Sequence, residues 1–134
     1  MALLRSDSLS EVLAPHGVGV LIAFGSRVRG TDRAASDLDL GVLRSDGRAL
    51  HHRELADLLV TLQALSDHAI DLVDLATADA LLRYEAIQAY DLLYVECRDQ
   101  WVNLVTKTLI EIDDLGPHLE RMVQGVARRA RTLG

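Results

Sequence analysis

Asp37 and Asp39 stand two residues apart in Ser36-Asp37-Leu38-Asp39-Leu40-Gly41-Val42. Leu38, Leu40 and Val42 alternate with Asp37, Asp39 and Gly41, the pattern of a strand with one apolar and one acidic face. Side chains two apart on a strand project to the same side, so the two carboxylates point together. Held that way they repel each other unless a cation sits between them. Oxygen ligands of this kind suit magnesium, a hard ion that keeps waters and binds one or two carboxylates plus substrate phosphates. Twelve residues before Asp37, Gly25-Ser26 offers a turn with bare backbone amides and a hydroxyl, chemistry suited to phosphate. Phosphate and metal handling in one short segment suggests nucleotide chemistry.

The residues around this pair extend the reading. Arg27 and Arg29 can act as forked donors to phosphate, or can be ordinary surface arginines. Ser36 either holds the loop against the strand or touches the nucleotide. Gly25 and Gly30 read as backbone freedom close to a ligand. The plain alternatives are a solvated edge-strand face for Asp37 and Asp39, and a turn serine for Ser26.

These residues must be placed by the rest of the chain. Val18-Gly19-Val20-Leu21-Ile22-Ala23-Phe24 is a short apolar run ending at glycine, which predicts a fully buried strand. Before it, Ser8 or Ser10 can cap a short helix that Pro15-His16-Gly17 ends. After Gly25, residues 26–30 predict a short helix whose amides add to the anion site. Leu50, Leu55, Leu58, Leu59, Leu62 and Leu65 fall at helical spacing over about 48–65. Ala69 to Leu75 predicts a third strand, Thr77 the N-cap of the following helix, and Asp91 to Glu96 a short edge strand. Trp101, Leu104, Val105, Thr108, Leu109 and Ile112 trace one helical stripe up to a break at Asp113–Pro117. A second stripe follows and ends in a basic tail. The predicted fold class is α/β: a small mixed sheet of about four strands with packed helices, plus two C-terminal helices, and not a doubly wound dinucleotide fold.

Composition sets outer limits. With 134 residues, 49% of them hydrophobic and 25% charged, the chain is expected to form one domain with a real core. A net charge of −6 disfavours broad binding to nucleic-acid backbone, so no direct nucleic-acid partner is expected. The single cysteine, Cys97, excludes an internal disulfide, fits a reducing compartment, and reads as a packing residue. No apolar run approaches ~18 residues and the N-terminus lacks a signal-peptide pattern, so the expectation is cytoplasmic with no membrane span. His16, His51, His52 and His118 show no metal-pair spacing, and Tyr94 and Trp101 read as packing anchors.

Gly25-Ser26, ten residues, then Asp37-Leu38-Asp39 resembles the signature of the DNA polymerase β-like nucleotidyltransferases in their minimal, MNT-type form. Gly25-Ser26-Arg27-Val28-Arg29-Gly30 with Ser36-Asp37-Leu38-Asp39-Leu40 is also similar to the MntA-type antitoxins of HEPN/MNT toxin–antitoxin pairs. The resemblance covers a core of about residues 8–96, and the helices of about 98–132 resemble the extension of the antitoxin branch. It implies a third carboxylate on a later strand, a position that Asp71 matches. Asp74, three residues on, alternates to the opposite face and is assigned a capping role before the next helix. The resemblance further implies two magnesium ions on Asp37, Asp39 and Asp71, and ATP bound through Gly25, Ser26, Arg27, Arg29 and Ser36. The activity implied is transfer of AMP to a tyrosine of a HEPN-domain ribonuclease toxin, which would neutralise that toxin, with the apolar C-terminal helices as docking surfaces. Two alternatives stay open: a binding-only antitoxin, and a nucleotidyltransferase acting on a small molecule such as an aminoglycoside.

Overall fold

The computed structural model describes residues 4, 5, 7–25 and 37–133, with side chains through residue 116. Ser26, Arg27, Arg29 and Ser36, and with them the short helix expected at 26–30, lie outside the described residues. The elements in chain order are α1 (Leu9–Leu13), β1 (Val18–Phe24), β2 (Leu38–Arg44), α2 (His52–Gln63), β3 (Ile70–Asp74), α3 (Ala80–Gln88), β4 (Tyr90–Val95) and α4 (Arg98–Leu133). One 3-10 turn, Ala14–His16, follows α1 and stops at Gly17, which takes the left-handed conformation that glycine adopts at little cost. The expected break in the C-terminal helical region is present: α4 leaves helical geometry at Gly116 (φ 45°, ψ −127°).

The strands form one mixed sheet in the order β3-β2-β1-β4. β1 pairs antiparallel with β2 and with β4, whereas β2 and β3 are parallel. Parallel neighbours need a long crossover, and α2 supplies it. Each face of the sheet carries its own core. Leu21, Ala23, Leu38, Leu40 and Val42 meet Leu13, Leu58 and Leu62 from α1 and α2 on one side. Val20, Ile22, Phe24 and Leu43 meet Ala86, Trp101 and Leu104 from α3 and α4 on the other. All seven residues of β1 are buried, because this strand is central and covered on both faces.

The start of α3 differs from expectation. The N-cap of α3 is Asp79 rather than Thr77; its Oδ1 accepts the Leu82 N–H at 2.8 Å. Thr77 instead closes the turn after β3, its hydroxyl donating to the Asp74 carbonyl at 3.3 Å. Asp74 does face away from Asp71, but it ties loops rather than capping a helix. Buried to 6% exposure, it accepts Leu50 N–H at 2.8 Å through Oδ2 and Ala76 N–H at 3.1 Å through Oδ1. The entry to α2 and the exit of β3 are thereby joined. At α2 the cap is His51, whose N–H donates to Glu54 Oε1 at 2.9 Å in a reciprocal capping box.

A buried arginine fastens α4 to α3. Arg83, 5% exposed, donates to the Ala78 carbonyl and to Thr108 Oγ1, each at 3.2 Å, and pairs with Glu111. Trp101 packs edge-on against Tyr90 with ring centroids 4.8 Å apart, and its Nε1–H donates to the Tyr90 hydroxyl at 3.3 Å. Trp101 is therefore a packing anchor, as its place in the helical stripe predicts. Among the described residues, no helix is long and apolar enough to cross a membrane.

Candidate active site

Pairing across the sheet sets four residues in one row: Asp71 on β3 opposite Asp39 on β2, Asp39 opposite Phe24 on β1, and Phe24 opposite Tyr90 on β4. Residues paired across a ladder point to the same face. This row therefore lies on the side of the sheet that α3 and α4 cover, close to the open end of the sheet. The strands are about 4.8 Å apart, so the Asp39 and Asp71 carboxylates stand side by side. Asp37 precedes β2 by one residue and is exposed, as is Asp71; Asp39 is half-buried.

The electrostatics record this crowding. Burial, then the neighbouring charge of Asp71, then that of Asp37, raises the Asp39 carboxyl above the usual carboxylate range. Asp39 thus senses both other carboxylates of the expected trio. Two neighbouring carboxylates such as Asp39 and Asp71 offer the oxygen donors that a hard dication takes, and such an ion would remove their repulsion. Among the described residues, no group of three or more His, Cys, Asp or Glu side chains is gathered closely enough to hold a metal ion.

Gly25 follows β1 and takes φ +85°, a conformation that disfavours any side chain. A Cβ at this position would fall inside the van der Waals surface of Asp39 Oδ2 and 3.3 Å from Asp39 Cγ. The glycine of the Gly-Ser motif and the second aspartate of the Asp-x-Asp motif are therefore in direct apposition. Ser26 continues from this point but lies outside the described residues, as do Arg27, Arg29 and Ser36.

A cleft of about 300 Å³ opens between this end of the sheet and α3, lined by Phe24, Gly25, Asp39, Asp71, Val73, Leu82 and Glu85. Glu85 lines this cleft, and motif reading does not reach it. It is exposed on α3, and its one signal in the sequence is a three-residue spacing from Leu82, which puts both on one helical face.

A family model described as Polymerase beta, Nucleotidyltransferase matches residues 7–99. The chain belongs to this nucleotidyltransferase family. Its matched span runs from the start of α1 through β4 and holds every residue of the cleft. No curated protein sequence matches the chain. Among solved structures, the fold is similar to a chain of a toxin–antitoxin crystal structure with AMP-PNP. That match has a TM-score of 0.70 and 23% identity, over 89% of this chain and 95% of that one. It is similar to a chain of the complex of tri-AMPylated Shewanella oneidensis HEPN toxin with MNT antitoxin, at a TM-score of 0.65 and 20% identity over 89% and 92%. A chain of an MntA–HepT toxin–antitoxin structure matches at 0.64 and 21%, over 89% and 93%. At these identities the likeness establishes a shared fold, and the nucleotidyltransferase family is established by the domain match.

Proposed function

We propose that this nucleotidyltransferase is a cytoplasmic antitoxin that transfers AMP from ATP to a tyrosine hydroxyl of a HEPN-domain ribonuclease toxin. The observation that carries the proposal is the convergence of Gly25, Asp39 and Asp71 at one end of a nucleotidyltransferase sheet. Two structural relatives support the choice of substrates, one crystallised with AMP-PNP and one in complex with a tri-AMPylated HEPN toxin.

In this reading Asp37, Asp39 and Asp71 would hold magnesium, two ions being the arrangement suited to three carboxylates. The metal, when bound, would supply charge neutralisation at the triphosphate and at the attacking oxygen. Gly25 lets the main chain approach Asp39 closely at the start of the phosphate-binding turn, where Ser26, Arg27, Arg29 and Ser36 would be further partners of the phosphates. Asp71, exposed at the edge of the row, accepts the proton of the tyrosine hydroxyl. The phenolic oxygen bonds to the α-phosphorus, the bond from that phosphorus to the bridging oxygen breaks, and pyrophosphate leaves. AMP on the toxin adds negative charge and bulk that oppose binding of RNA phosphate.

The core of about residues 8–96 carries this chemistry, and the helical extension of about 98–132 docks the toxin. The extension has apolar surface to spare: Val102, Leu109 and Ile110 on α4 are 50%, 48% and 57% exposed. Incubation with labelled ATP, magnesium and the HEPN toxin should label the toxin, and Asp37→Asn with Asp39→Asn should abolish labelling. Labelling that survives both substitutions refutes the assigned site. Neutralisation that persists in full without labelling identifies a binding-only antitoxin instead.

A further inference from the structure

β3 is an edge of the sheet and carries Asp71. In its ladder with β2, Leu38 N–H donates to the Ala69 carbonyl at 2.8 Å and Leu75 N–H to the Val42 carbonyl at 3.0 Å. This phase turns the main-chain groups of residues 69, 71, 73 and 75 toward β2, and those of 70, 72 and 74 toward the open edge. The edge is closed at both ends by the chain itself. Ile70 N–H donates to Gln63 Oε1 at 2.9 Å. The Asp74 carbonyl accepts from Thr77 N–H at 3.2 Å and Ala78 N–H at 3.1 Å. Between these closures, both main-chain groups of Leu72, the Ile70 carbonyl and the Asp74 N–H have no hydrogen-bond partner among the described residues.

Building on the transfer reaction above, we propose that the acceptor protein binds as a short extended segment added to the open edge of β3. Its main chain pairs with Leu72, and its hydroxyl-bearing side chain lies beside Asp71. The open groups amount to one ladder repeat bounded on both sides, which fits a few extended residues rather than a long strand. A residue added opposite Asp71 stands about 4.8 Å away and projects to the same face, the face that holds the cleft. The other edge of the sheet cannot serve in this way. β4 is three strand spacings from Asp71, about 14 Å, beyond the reach of one side chain. The acceptor hydroxyl then meets the group that takes its proton without any rearrangement of the sheet.

The direct test is residue-resolved amide hydrogen exchange on the full chain, alone and with the HEPN toxin, magnesium and α,β-methylene ATP. The Leu72 amide should slow at least tenfold in the complex, while those of Asp71 and Val73, directed at β2, change little. A complex that leaves Leu72 unprotected overturns the proposal. So does equal protection produced by raising the concentration of this chain alone, which would mean a second copy on the edge.

Leu72→Pro gives a kinetic test. It removes an N–H that β2 does not use, at an edge position where proline is tolerated, next to an already extended residue. The KM for toxin should rise roughly three- to tenfold, the loss expected for one hydrogen bond, with binding of the ATP analogue unchanged. Wild-type KM in Leu72→Pro overturns the docking mode alone. A wild-type chain that binds nucleotide but never labels the toxin overturns the transfer reaction on which the docking rests. Should Leu72→Pro fail to fold, the exchange experiment on the wild-type complex decides.

Discussion

Replacing Gly25 by alanine separates the geometry of the site from the stability of the fold. Two effects combine at this position. The backbone sits at φ +85°, where an L-residue costs about 1–2 kcal/mol. The added methyl also falls on the Asp39 carboxylate, which must retreat by about 1 Å to restore ordinary contact. A domain of this size has about 5–15 kcal/mol of stability, so Gly25→Ala should still fold. A shift of about 1 Å in a catalytic group can cost on the order of a hundredfold in rate, and AMP transfer should fall by that order. Gly17→Ala is the matched control: Gly17 has φ 69°, but nothing lies within 4 Å of an added Cβ. Gly25→Ala should lose at least as much stability as Gly17→Ala in urea denaturation, and only Gly25→Ala should lose transfer, measured as initial rates with labelled ATP. Equal transfer rates in the two variants would show that contact between Gly25 and Asp39 has no part in positioning the carboxylate.

Three further outcomes follow from the structure. Asp39 has a raised folded-state pKa, so the folded chain holds this proton more tightly than the unfolded one, and the stability this provides is lost as pH rises through the raised value. At pH 7 without divalent cations, Asp39→Asn should therefore melt above wild type, the gap should close below about pH 4, and magnesium should stabilise wild type but not the variant; a lower melting temperature for Asp39→Asn at pH 7 contradicts the assigned repulsion. Arg83→Ala strands Thr108 and Glu111 against α3 and should cost about 3 kcal/mol in urea denaturation; a loss below about 1 kcal/mol would show that the apolar stripe of α4 holds the helix unaided. Asp74→Ala leaves the Leu50 and Ala76 amides without their carboxylate and should cost about 2–3 kcal/mol while leaving nucleotide affinity unchanged by calorimetry, since Asp74 faces away from the cleft.

Local residue pattern is enough to specify the strand that carries Asp37 and Asp39 and most of the other elements. Strict alternation over Asp37–Val42 fits a strand with one acidic face, and the short unbroken apolar run of Val18–Phe24, ended by glycine, fits a strand covered twice. The first follows from side-chain period and the second from length and the glycine, and neither needs knowledge of neighbours. The same period separates Asp74 from Asp71, since three steps along a strand reverse the face. What Asp74 bonds is another matter, because its partner at Leu50 is distant in the chain and set by how α2 enters. Thr77 and Asp79 are both good caps by residue type; in the fold Thr77 is taken up in the turn after β3 and Asp79 caps the helix.

The site required the sheet. Strand order and register bring Asp71, Asp39 and Phe24 into one row, and no local pattern encodes which strands lie side by side. The apposition of Gly25 with Asp39 arises because β1 and β2 run antiparallel and end together. Glu85 reaches the cleft only because α3 crosses that face of the sheet, and the Leu72 main-chain groups are unpaired among the described residues because β3 is last in the strand order. Local residue patterns therefore specify which groups are available, and long-range pairing decides which of them meet.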